Sequence, residues 1–357
     1  MLITDAHLDL SWNAIQGNRN LLYSVYTIRT QEKGQSGQGR ALGTVALPEM
    51  RKGRIALSVV TLFGRSTGNP TPHTDYGSPT QAYGAAQGQL AYYRALQREK
   101  HVRLLVDAVG LGYHIAEWEA WDRQGDGEPP PLGFVISMEG ADPILEPAQL
   151  EEWYEGGLRL LGLTHYGLGR YAGGTGVEDG LTPLGPPLLR EMQRLGVLLD
   201  LTHSSDRSFW ESLEHYDGPV LASHNNCRAL VPHQRQFDDD QLRAVIERGG
   251  VIGAAFDDWM LYPGWTLKSP GNRAVSLSRV VDHIDHVCQL AGNARHAGIG
   301  SDLDGGFGRE QSPHDLDTIA DEQKIAGLLS SRGYKDDDVT AIMCGNWVRL
   351  LQKAWEG

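Results

Sequence analysis

Histidine and carboxylate side chains recur in this sequence at one kind of place, directly after a short apolar run. Asp5-Ala6-His7-Leu8-Asp9 opens the chain, and Met138-Glu139-Gly140, Thr164-His165, Thr202-His203, Ser223-His224 and Ser301-Asp302-Leu303-Asp304 follow in order. In an extended strand alternate side chains share a face, so Asp5, His7 and Asp9 point together. Three polar groups on one face of an apolar strand are costly unless something satisfies them. A divalent metal would do so, since His7 offers an imidazole nitrogen and Asp9 a hard oxygen. One such pair is weak evidence, because short patterns recur by chance. A histidine that closes a strand is more often a hydrogen-bonded structural residue, and Glu before Gly or Asp before Leu-Asp-Gly can be a turn former. Three successive strands ending in histidine, with carboxylates closing three others, exceed what turn chemistry explains.

The donor types select the ion. Imidazole and carboxylate without thiolate suit zinc first, with manganese, cobalt or iron as alternatives. The count exceeds the needs of one ion. Three neutral histidines and two carboxylates, one of them bridging, satisfy two divalent ions ~3.5–4 Å apart, a pair that activates a shared water. Asp5 stands outside this count and is expected to orient a ligand from behind.

Positioning such a set takes many strand ends facing one space. Apolar strand-like runs occur at 2–9, 55–63, 133–138, 158–164, 197–202, 219–223, 251–256 and 297–301, with a short extra one at 103–106. Helical spacing lies between them at 81–99, 113–123, 147–155, 186–195, 206–215, 239–248 and 277–291, and closing helices are expected at 315–330 and 336–355. Near-continuous apolar strands alternating with helices predict a parallel sheet buried on both faces. Eight such units predict a closed (β/α)8 TIM barrel, whose catalytic groups sit at the C-terminal strand ends. No linker divides the chain, so residues 1–357 are expected to form one domain. The polar, glycine-rich stretch 11–43 reads as a long functional loop.

Bulk properties narrow the classes. Forty per cent hydrophobic content in 357 residues supports a full core. Thirty-two basic against 45 acidic residues give a net charge of −13, which argues against a nucleic-acid or anionic-membrane partner. No apolar window of membrane-spanning length is present. Asp5, His7 and Asp9 fall where a signal peptide needs an apolar stretch, so a cytoplasmic location is expected. Three scattered cysteines, Cys227, Cys288 and Cys344, fit reduced thiols.

The ordered set Asp-Ala-His-Leu-Asp, Ser-Met-Glu-Gly-Ala-Asp, Leu-Thr-His-Tyr, Asp-Leu-Thr-His-Ser-Ser, Pro-Val-Leu-Ala-Ser-His-Asn-Asn-Cys-Arg-Ala-Leu and Gly-Ser-Asp-Leu-Asp-Gly resembles the renal (membrane) dipeptidase family of zinc peptidases, from Leu2 to about Trp355. That family belongs to the amidohydrolase-type metal barrels. The resemblance implies that His7, Asp9 and Glu139 bind one zinc and that Glu139, His203 and His224 bind the other. It implies that His165 contacts the substrate near the scissile carbonyl and that Arg235 grips the C-terminal carboxylate, with Arg228 as a rival. Asp302 matches the family's catalytic aspartate, and Asp304 supports the neighbouring loop. Animal members are secreted, disulfide-bonded and lipid-anchored. No signal, hydrophobic tail or matching cysteines are read in this sequence, so a bacterial-type soluble member is expected. The stretch 11–43 and the segment 257–265 do not match the family pattern and are expected to form pocket walls.

The expected reaction is hydrolysis of a dipeptide amide bond by a hydroxide bridging two zinc ions. Asp302 serves as general base and then acid, and a homodimer is compatible with this reading. A rival is another amidohydrolase-type activity on the same metals, such as an N-acyl amino acid hydrolase, lactonase or deaminase. A non-catalytic binding barrel would have lost ligands or Asp302, and all are present.

Overall fold

A computed structural model describes residues 1–125 and 127–356. Strands form where the apolar runs lie: β1 (Ile3–Leu8), β2 (Ile55–Phe63), β3 (Val102–Leu104), β4 (Leu132–Glu139), β5 (Leu158–Gly162), β6 (Leu198–Asp200), β7 (Val220–Leu221), β8 (Ile252–Ala254) and β9 (Ala297–Ile299). They pair in parallel in the order β7-β6-β5-β4-β2-β1-β9-β8, and a parallel bridge from Ala222 to Ile252 joins the two ends. The result is the eight-stranded (β/α)8 barrel, with β3 as the extra strand beside the start of β4. Every residue of β1, β2, β4 and β5 is buried, as a sheet covered on both faces requires. One apolar cluster runs from Leu2 to Leu351.

Strand register places the site. The β2–β4 ladder runs from Leu57 opposite Gly133 to Phe63 opposite Glu139, bringing the Glu139 carboxyl to the barrel mouth. Helix Ala108–Gln124 holds this pair from outside. His114 on it bonds the Ala56 carbonyl at 2.8 Å and lies over Gly133, where any Cβ would collide with the ring. Helix Asn346–Trp355 does the same for β9 through Trp347 Nε1 on the Ile299 carbonyl at 3.0 Å.

The later strands are shorter than the apolar runs, for a reason tied to the site. Beyond Asp200 the backbone leaves the ladder, and the Asp200 carboxylate accepts the N–H groups of Thr202 and Ser223, both at 3.1 Å. Asp5 does the same for His7 at 3.1 Å and Ser301 at 2.9 Å. Side-chain oxygens replace strand partners there and turn the next residues inward.

Two expectations need correction. The stretch 11–43 is not one open loop. It holds helices Leu10–Ile15 and Val25–Gln31, the second capped by Ser24. Arg19 ties the stretch together, reaching Glu32, Asn13, the Gly39 carbonyl and Asp304. Helix also does not start at 315. Thr318 forms a capping box with Asp321, so a 3-10 turn covers Ile319–Glu322 and the helix runs Gln323–Ser331.

Candidate metal centre and substrate cavity

At the C-terminal end of the barrel Glu139 Oε1 lies 3.6 Å from His7 Nε2, 3.2 Å from His203 Nε2 and 3.4 Å from His224 Nε2. The donor atoms of His7, Asp9 and Glu139 fall within 4.8 Å of one another, and so do those of Glu139, His203 and His224. A third grouping, His7, His224 and Asp302, meets the same limit. Strand ends β1, β4, β6, β7 and β9 supply these side chains. Both His203 and Asp302 sit in the left-handed backbone region, at φ 67° and 58°. That conformation is strained for residues other than glycine and is concentrated at functional sites.

Hydroxyls lie behind the Nδ1 atoms of two of the histidines. His203 Nδ1 meets Thr175 Oγ1 at 3.0 Å and His224 Nδ1 meets Ser223 Oγ at 2.9 Å. With a proton on Nδ1 donated backward, each Nε2 presents its lone pair to the centre, as a metal-binding imidazole must. Burial holds His7 at about 3 and pushes His165, His203 and His224 well below the usual histidine range, so all four are neutral near pH 7. His7 Nε2 is buried without a hydrogen-bond partner. Burial, and then the carboxylates of Asp9 and Asp302, drive Glu139 well above the ordinary carboxyl range. Convergent neutral imidazoles and mutually repelling carboxylates are a donor set that divalent cations satisfy. The residues therefore fit metal.

Above the centre lies a cavity of about 100 Å³ lined by Asp9, Glu139, His165, Tyr166, His203, Arg235, Asp257, Trp259, Met260, Asp302 and Gly305. Arg235 is 2% exposed, fixed by Asn225 Oδ1 at 2.8 Å and the His224 carbonyl at 2.9 Å. Its rival Arg228 turns outward to Asp206, at 2.6 and 3.0 Å. His165 Nε2 stands 3.8 Å from Glu139 Oε1, and its Nδ1 is 3.4 Å from Arg65 Nη1. Asp302 Oδ1 is 3.8 Å from His7 Nε2, and burial followed by Asp9 and Asp257 pushes it well above the carboxylate range.

Asp5 and Asp304 stay out of this cavity. Asp5 holds the backbone of His7 and Ser301 rather than orienting a ligand side chain, a correction to the sequence expectation. Asp304 accepts from Thr44 N, Thr44 Oγ1 and Val45 N at 2.7, 2.8 and 3.1 Å and anchors the 11–43 stretch. Sequence reasoning did not single out Tyr166, Arg65 or Asp257 as individual site residues. Tyr166 directly follows a predicted site histidine, and Asp257 opens the segment expected to be a wall. Arg65 carries no signal of its own.

A closed parallel barrel with imidazoles and carboxylates converging at its strand ends defines the amidohydrolase type of metal-dependent barrel. Within that class the sequence pattern of the membrane dipeptidase family, peptidase family M19, matches residues 1–356, and the chain belongs to it. It is 26% identical over 355 residues to dipeptidase aclJ of Aspergillus oryzae, covering 98% of this chain and 77% of that one. A Klebsiella pneumoniae protein from the pqqA 5′ region is 29% identical over 236 residues, 63% of this chain and 83% of its own length. Among solved structures, the metallopeptidase named dipeptidase AC superposes with a TM-score of 0.79 at 23% identity, covering 100% of this chain and 99% of the other. A Rhodobacter sphaeroides metallopeptidase bound to a phosphinate mimic of L-Ala-D-Ala gives 0.76 at 23% identity, with 99% of each chain covered. At these identities the superpositions establish the fold. Family membership implies a metal cofactor.

Proposed function

We propose that this protein hydrolyses the amide bond of dipeptides at a dinuclear centre. His7, Asp9 and Glu139 hold one divalent ion and Glu139, His203 and His224 the other, with zinc the first choice. The observation that carries the reading is Glu139, whose Oε1 lies within 3.6 Å of three imidazole Nε2 atoms and which belongs to both ligand groupings. When bound, such a pair supplies Lewis acidity and lowers the pKa of water.

The chain's own residues do the rest. Asp302, whose environment raises its proton affinity, takes a proton at its carboxylate as the nucleophile adds, then returns it to the leaving amine. A guanidinium only donates, so Arg65 facing His165 Nδ1 requires that nitrogen to be the acceptor and leaves the proton on Nε2. His165 Nε2–H then faces the cavity as a donor to the developing oxyanion. Arg235, rigidly held and buried, receives the substrate carboxylate.

A steady-state panel of dipeptides of both chiralities, each as free acid and C-terminal amide, tests this with the zinc-loaded protein. Free dipeptides should be cleaved and amides poorly. Arg235→Met should mainly raise KM for free dipeptides, lowering kcat/KM about 30- to 1,000-fold, and change amide hydrolysis little. Undiminished hydrolysis of free dipeptides by Arg235→Met would remove Arg235 from this role.

A further inference from the structure

Four carboxylates line the cavity, and Asp9, Glu139 and Asp302 already have work in the proposed centre. Asp257 does not. It follows β8 where the backbone turns into the short helix Asp258–Leu261, and it is 6% exposed. Gln311 Nε2 donates to its two oxygens at 2.9 and 3.0 Å, and the Trp259 N–H approaches at 3.4 Å. Gln38 Nε2 in turn donates to Gln311 Oε1 at 2.8 Å, which keeps the NH2 side of Gln311 turned toward Asp257. An ionised carboxylate can accept about four hydrogen bonds. No cation among the described residues pairs with Asp257, and Arg235 acts on it only from a distance. A buried carboxylate without an ion partner tends to take up a proton, and burial pushes Asp257 up to about 7; a positive charge brought by a ligand would hold it ionised instead.

We infer that Asp257 is the cavity's cation-recognising residue and receives an ammonium group of the substrate. The inference rests on the dipeptidase reading, in which Arg235 takes the negative end. Two sources share this chemistry, the free α-ammonium of the dipeptide and the side chain of a lysine-type residue. Either way the site favours substrates that retain a positive charge. An N-acyl amino acid fits it badly because it would leave Asp257 unpaired.

Zinc-loaded wild type and Asp257→Asn are compared on Ala-Ala, on N-propionyl-Ala (the same shape without the amine) and on Ala-Lys and Lys-Ala. If the α-ammonium is the partner, Asp257→Asn lowers kcat/KM for Ala-Ala about 30-fold or more and for N-propionyl-Ala by less than about threefold. If the side chain is the partner, the loss falls on a lysine-containing dipeptide and spares Ala-Ala. Zinc content equal to wild type shows that the variant is folded. Wild-type rates on all four substrates, or equal losses on Ala-Ala and N-propionyl-Ala, overturn the inference while leaving the dipeptidase reading intact. A wild type inactive on every free dipeptide overturns both.

Discussion

One oxygen of Glu139, 3.2 Å from His203 Nε2 and 3.6 Å from His7 Nε2, sits where two ligand sets overlap. With an ion in each set, its negative charge would offset the repulsion between the two cations, so Glu139→Gln should disturb both sites together. Elemental analysis of that variant should show loss of metal from both positions, and a clean drop to one ion would show that Glu139 serves a single site. Asp302 should separate differently. Asp302→Asn should keep metal content and KM near wild type while kcat falls by about two orders of magnitude or more, the usual cost of lost acid–base catalysis. A parallel loss of metal would make Asp302 a ligand, as its grouping with His7 and His224 permits. At this scale the convergence of these histidines and carboxylates was legible in the sequence, because they close apolar runs and the runs repeat. The choice between Arg228 and Arg235 was not. Both follow β7, and it depends on how 226–237 folds back, with Cys227 bridged to Phe237 and Arg228 led out to Asp206. Asp257 also escaped, since its role comes from Gln311 and Gln38, far away in sequence.

The elements that hold these residues are locked by a few buried contacts, and one of them titrates. His114 is 0% exposed and bonds the Ala56 carbonyl, and burial lowers it to about 4. The unfolded chain binds a proton near the ordinary value of ~6.5, so between these values it takes up a proton that the folded chain refuses. The stabilising contribution is complete above that ordinary value and is lost as pH falls toward the folded value. Near pH 5 the loss is roughly 2 kcal/mol for this one group. Urea unfolding of His114→Gln, whose amide can still reach Ala56, should show a correspondingly flatter fall in stability between pH 7.5 and 5. An unchanged pH slope would mean that His114 is not the neutral clamp described. The strands and most helices were legible from apolar runs and helical spacing. Helices Leu10–Ile15 and Val25–Gln31 were not, because each is short, the first buries Ser11 and Asn13 while leaving Ile15 exposed, and Arg19 and Asp304 hold the stretch rather than a helical pattern of its own. The shortened strand ends were equally hidden, since Asp5 and Asp200 take backbone donors that alternation alone assigns to a ladder.

Across the whole molecule the architecture followed from counting. Eight apolar runs separated by helices admit few closed arrangements, and the parallel barrel puts all the strand ends on one rim. The three cysteines are buried and unpaired, and among the described residues no helix is long and apolar enough to cross a membrane. What the fold alone cannot choose is the chemistry at its rim, which belongs to specific side chains. The claim joining fold, centre and reaction is that two ions held through Glu139 cleave a dipeptide. Its most direct test is to titrate metal-stripped protein with zinc while following initial rates on Ala-Ala. Activity should rise with added metal and level off at about two equivalents per chain. Full activity at one equivalent, or no dipeptide hydrolysis at two, would contradict the account.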